Sequence, residues 1–157
     1  MFRMIPLMRE TESSRVVSMM IQDHAVVPQG IPGVTADQHS LSHYGHDTTK
    51  IAQRKKIEVE IVKAFGGVLT QLAERSDANG ALIDQTTVLF GSNLGNANAH
   101  TTQDLPILVA GGGYRHGQHI MHKGEENAPL CNLFATMLQS MGVETESFGQ
   151  SSGKLTW

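Results

Sequence analysis

Three runs of this chain are apolar almost without interruption, and two longer ones are apolar at helical spacing. The continuous runs are residues 15–21 (RVVSMMI), 86–91 (TTVLFG) and 106–110 (PILVA). Unbroken β-branched and apolar residues over strand length predict strands covered on both faces, as in parallel sheets. Helical spacing appears over residues 48–75, where Ile51, Val62, Phe65, Leu69 and Leu72 define a stripe that Ile61 and Val68 widen. Asp47 or Thr48 can cap this helix, and Gly66-Gly67 in its middle predicts a kink or a close packing contact. A last helix opens at Pro129, places Leu130, Leu133, Phe134, Met137, Leu138 and Met141 on one face, and ends at Gly142. Residues 4–13 predict a short helix with Pro6 near its first turn.

Between these elements lie a long Pro- and Gly-containing loop over 22–45, the turn-rich SDANGALID, the polar loop SNLGNANAHTTQD and a glycine triplet at 111–113. Residues 144–157 are polar and Gly/Ser-rich, which predicts an irregular tail. The order helix, strand, long helix, strand, strand, helix points to one α/β domain over residues 1–157, with a mostly parallel sheet of about three or four strands flanked by helices. Parallel strands would open the three loops that follow them on one edge, where ligands of such sheets bind. So small a sheet would have exposed edges, covered by a partner copy in a homo-oligomer or by further chain.

Composition narrows the function classes. With 39% hydrophobic and 17% charged residues and a net charge of −3, the chain is ordinary for a globular domain. It has no basic cluster for nucleic acid, no apolar stretch long enough to span a membrane and no signal-peptide pattern. A single cysteine, Cys131, excludes an internal disulfide and a cysteine-based zinc site.

Histidine is the unusual residue. The segment HSLSHYGHD places His39 and His43 four apart, a spacing that puts two imidazoles on one side of a helix or tight turn. His100, in the polar loop after the second continuous run, is the candidate third ligand, and three nitrogens plus water suit zinc or a similar first-row ion. Asp23, Asp37, His46, Asp47 and Asp104 can supply a further ligand or orient the imidazoles. The competing reading is that these histidines hydrogen-bond loop backbone. His116, His119 and His122 read as solvated groups or contacts to an acidic ligand, and AGGGYRHG as a tight turn or an anion cradle without P-loop spacing. Ser42 beside His39 and His43 is a weaker candidate nucleophile.

Taken in order, SSRVV, HSLSHYGHD, TTVLFGSNLGNANAHTTQDLPILVAGGG, APLCNLFATMLQSMGV and ESFGQSSGKL resemble the C-terminal half of a bacterial family named after its HxxSHH motif. The resemblance covers nearly all of the chain, but Tyr44 stands where the motif has its last histidine. It implies that the chain is a C-terminal portion of a longer, exported or periplasmic protein.

A more distant resemblance, to the alkaline-phosphatase-like superfamily of phosphatases, sulfatases and cofactor-independent phosphoglycerate mutases, implies a partial version of that parallel sheet. It also implies one divalent ion, zinc or manganese, held by His39, His43 and His100. Asn93, Asp104, His46 and Asp47 would orient ligands or a small anionic ester substrate. The second metal pair of that superfamily falls on Asn93 and Leu94, and the nucleophile segment would lie before this chain. Two expectations follow: the metal-binding part of a phosphate- or sulfate-ester hydrolase, or a non-catalytic binding module that has lost the second metal site.

Overall fold

The structure is a computed structural model, and it describes residues 2–21, 26–121 and 128–155. In chain order the elements are α1 (Met4–Glu10), α2 (Gln38–Ser42), α3 (Thr48–Ala73), β1 (Ser76–Asp77), β2 (Gly80–Ala81), β3 (Val88–Gly91), β4 (Ile107–Ala110) and α4 (Leu130–Ser140).

The long helix α3 starts at Asp47, whose carboxylate accepts the amides of Thr49 (2.8 Å) and Lys50 (3.1 Å), satisfying two donors that the helix cannot pair internally. Phe65, Val68 and Leu72 are buried along its inner face, at the spacing that keeps one side of a helix turned inward. On β3 the two-residue period gives Val88 and Phe90 a common face. Val88 packs against a cluster of Val68, Leu72 and Leu82, joined by Phe2, Ile5 and Ile83. Phe90 stacks on Phe65 with ring centroids 4.7 Å apart and an interplanar angle of 22°. A polar network fastens α1 beside this core: Arg9 bonds Gln85 (3.1 Å), Gln85 bonds Asp77 (2.9 Å), and Arg75 pairs with Glu10 (2.9 Å).

The sheet differs from the expected one. Among the described residues there are two separate two-stranded sheets, β1–β2 and β3–β4, and both are antiparallel. The α/β parallel sheet of three or four strands, and with it the alkaline-phosphatase-like architecture, is therefore corrected. The physical reason is the connection. A parallel pair needs a crossover that carries the chain back to the starting edge, usually a helix. Residues 92–106 contain none and return directly, so Val88 pairs with Ala110 and Gly91 with Ile107.

Residues 15–21 form no strand. Val16 and Met20 are 70% and 77% exposed. The Ser14 hydroxyl accepts the Val16 amide (3.3 Å) and donates to the Val16 carbonyl (2.7 Å), engaging the groups that a strand ladder would use. β-branched residues favour strands only where a pleated surface offers them neighbours.

The Gly66-Gly67 pair neither interrupts α3 nor marks close packing, since a Cβ at either position would meet nothing within 4 Å. At the end of α4, Gly142 adopts φ +79°, its amide bonds the Gln139 carbonyl (3.0 Å) and the Val143 amide bonds that of Leu138 (3.0 Å), a Schellman closure. The segment that follows has neither helix nor strand and lies along α4. Buried Asn132 exchanges two bonds with Ser152 (2.9 and 3.2 Å), and Phe134 meets Phe148 edge-on at 5.7 Å. No helix among the described residues is long and apolar enough to cross a membrane.

Two substitutions test this packing by urea denaturation. Leu72→Ala, which empties a fully buried position, is expected to cost about 2–5 kcal/mol. Gly67→Ala, on the exposed side of α3, is expected to gain up to about 1 kcal/mol.

Candidate functional site

His39 lies on α2, and His43 is the C-terminal capping position of that helix. A one-and-a-half-turn helix does not persist alone, and three contacts hold α2 in place. Leu41, only 1% exposed, anchors it in the core, and α2 packs against α3. Asp37 caps it, accepting the Ser40 amide at 2.9 Å and the Ser40 hydroxyl at 2.6 Å. These two bonds, the hydroxyl's first, hold the Asp37 carboxyl below its ordinary value. At the other end Lys50 donates to the His43 carbonyl (3.1 Å).

His100 comes from the loop over 92–106 that joins β3 to β4. Asn96 and Thr101 form an isolated antiparallel bridge that pinches this loop, with the Gly95 amide on the Thr101 carbonyl (2.9 Å) and the Thr101 amide on the Asn96 carbonyl (3.1 Å). Gly95 is required here, because a Cβ would overlap the Gln103 carbonyl. The tight turn inside the bridge drives His100 to φ +53°, a left-handed conformation that costs a non-glycine residue roughly 1–2 kcal/mol.

The fold brings the three histidines together. His39 and His43 have ring centroids 4.9 Å apart at 77°, and His43 and His100 5.1 Å apart at 83°. With Zn–N bonds of about 2.0–2.1 Å and tetrahedral angles, the centroids of two imidazoles on one zinc are about 5 Å apart. The His39–His43 and His43–His100 separations are both near that value. The ring orientations are edge to face, and among the described residues no group of three His, Cys, Asp or Glu side chains already converges on a metal position. All three imidazoles are exposed.

The other expected site residues have different placements. Asp47 is committed to the α3 cap and His46 lies in the exposed turn before it. Asn93 and Asp104 share the His100 loop, both exposed, with Asp104 also at φ +53°. The Ser42 hydroxyl donates to the His39 carbonyl (2.7 Å), a backbone contact within α2. Asp23 and His122 lie outside the described residues.

The glycine triplet does not share this edge. Because β4 runs antiparallel to β3, its C-terminal end lies opposite the His100 loop. Gly111, Gly112 and Gly113 all have positive φ, and the Gly112 amide bonds the Ile83 carbonyl (3.0 Å), so this segment is a tight turn.

Asn96, Asn98 and Tyr44 were not among the expected site residues. The Gly45 amide donates to the Asn98 side chain (2.9 Å), Tyr44 donates a long 3.4 Å bond to the Asn96 side chain, and the Arg54 guanidinium sits 5.4 Å over the Tyr44 ring. The sequence signal was the asparagine density of NLGNANAH, a residue type that serves turns by side-chain bonding.

No family model, curated protein or solved structure matches this chain.

The depressed Asp37 carboxyl has a definite sign. Its stabilisation of α2 is present above the ordinary aspartate range and is lost as pH falls through the lowered value. The Ser40 amide resonance, followed by NMR, is expected to titrate below the ordinary aspartate value, and a midpoint at or above that value would contradict the cap.

Proposed function

We propose that this chain is a metal-binding module in which His39, His43 and His100 hold one divalent first-row ion, with water completing the coordination. The observation that carries this reading is the 5.1 Å separation of the His43 and His100 rings, which joins segments more than fifty residues apart in sequence, beside the local 4.9 Å separation of His39 and His43. An all-imidazole set suits zinc better than manganese, which prefers oxygen. Convergence requires the rings to turn from edge-to-face contact toward a common point, and their exposure leaves room for that.

Coordination would staple α2 and the start of α3 to the β3–β4 loop. That favours the binding module over the ester-hydrolase reading. Two-metal phosphoryl or sulfuryl transfer clamps both the attacking and the leaving oxygen. Asn93 and Leu94 offer no pair of ligands for a second ion. The hydrolase expectation also rested on a parallel sheet that the fold lacks.

Zinc titration with a thermal-unfolding readout tests the proposal. At one hundred times the dissociation constant, a single site adds about 2.7 kcal/mol of stability. His43→Ala is expected to abolish the gain. His100→Gly is expected to abolish it as well while leaving the metal-free protein at least as stable, because glycine relieves the left-handed backbone. Since ligating imidazoles must be neutral, binding is expected to release protons and weaken as pH falls. No bound metal by elemental analysis after zinc or manganese supplementation would refute the proposal.

A further inference from the structure

The two elements that carry the imidazoles are joined by a hydrogen bond beside the rings. Gly45 lies two residues after His43, and Asn98 lies two residues before His100. The Gly45 amide donates to the Asn98 Oδ1 at 2.9 Å. The bond therefore closes a frame of two three-residue arms, His43-Tyr44-Gly45 and Asn98-Ala99-His100, with one imidazole at the end of each arm. Both arms are stiff for local reasons. Gly45 sits at φ +51° in the turn that leads into the Asp47 cap, and the Asp47 amide bonds the Tyr44 carbonyl (2.8 Å). On the other arm the Ala99 amide bonds the Asn96 Oδ1 (3.1 Å) inside the Asn96–Thr101 bridge.

We infer that Asn98 is a positioning residue for the histidine site: its side-chain oxygen sets the His43–His100 separation by holding the Gly45 amide. The inference rests on the metal reading above for its functional meaning, but the hydrogen bond itself involves no ion and can be tested without one. The Tyr44–Asn96 contact is long at 3.4 Å, and it leaves the Asn98 bond as the shorter tie. Groups that orient ligands without touching the metal typically contribute 10–100-fold in affinity. Asn98 has that place here although its side chain points to backbone and not to a ring.

Asn98→Ala and Asn98→Leu remove the acceptor, while Asn98→Asp keeps an oxygen at the same reach. Two measurements separate the latch from the metal site. In metal-free protein, a nuclear Overhauser contact between the His43 and His100 rings is expected in wild type and Asn98→Asp, and its loss is expected in Asn98→Ala and Asn98→Leu. Cobalt titration, read by the visible bands of the tetrahedral ion, is expected to show affinity lower by about 10-fold or more in Asn98→Ala and Asn98→Leu, with wild-type bands kept in Asn98→Asp. A ring contact that persists in Asn98→Ala overturns the latch whatever the metal result. Wild-type cobalt affinity in Asn98→Ala, or a loss in Asn98→Asp equal to that in Asn98→Ala, overturns its positioning role. Wild-type protein that binds no cobalt overturns the metal reading, while the ring contact still decides the latch.

Discussion

The Phe65–Phe90 stack, with Val68 and Leu72 beside it, is the contact on which the rest of the arrangement depends. It is where the long helix α3 meets the β3–β4 hairpin. A two-stranded hairpin alone is marginal in water and needs a helix or further strands to cover a face. Here α3 supplies the cover, through residues spaced for its inner face and through Val88 and Phe90 on the facing side of β3. That contact fixes the direction in which β3 leaves the core. It therefore also fixes where the loop over 92–106 emerges.

The histidine cluster is a consequence of that geometry. The start of α3, capped by Asp47, sets the turn at 43–47, and α2 is held just before it by Leu41. The end of β3 presents the loop that carries His100. Neither segment could place its imidazoles alone: α2 is too short to stand without packing, and the His100 turn holds an unfavourable backbone inside the Asn96–Thr101 bridge, beside which Gly95 allows the close approach of the Gln103 backbone. A site assembled this way is exposed and shallow. On the metal-binding reading proposed above, that exposure leaves the three rings open to an ion from solvent.

Much of the local structure was legible in the chain. Asp47 as a cap, the apolar stripe of α3, the runs at 86–91 and 106–110, and the glycine closure of α4 at Gly142 all follow from short-range rules of capping, periodicity and backbone freedom. The failures share one cause. Residues 15–21 have the composition of a strand, but a strand needs a neighbour, and Ser14 meets the Val16 backbone locally instead. The parallel sheet fails because a continuous apolar run does not by itself require burial on both faces. β3 and β4 are covered only in part, with Leu108 half exposed, and the absence of a helix between them was the better indicator of direction.

The sequence by itself determined which residues could ligate and which local elements would carry them, because imidazole chemistry, helix caps and turn glycines act over a few residues. Only the tertiary structure decided that His100 lies beside His43, that the glycine triplet does not share their edge, and that Asn98 spans the gap. Those relations depend on how one helix face meets one hairpin, which is set by packing between distant segments that no local pattern encodes.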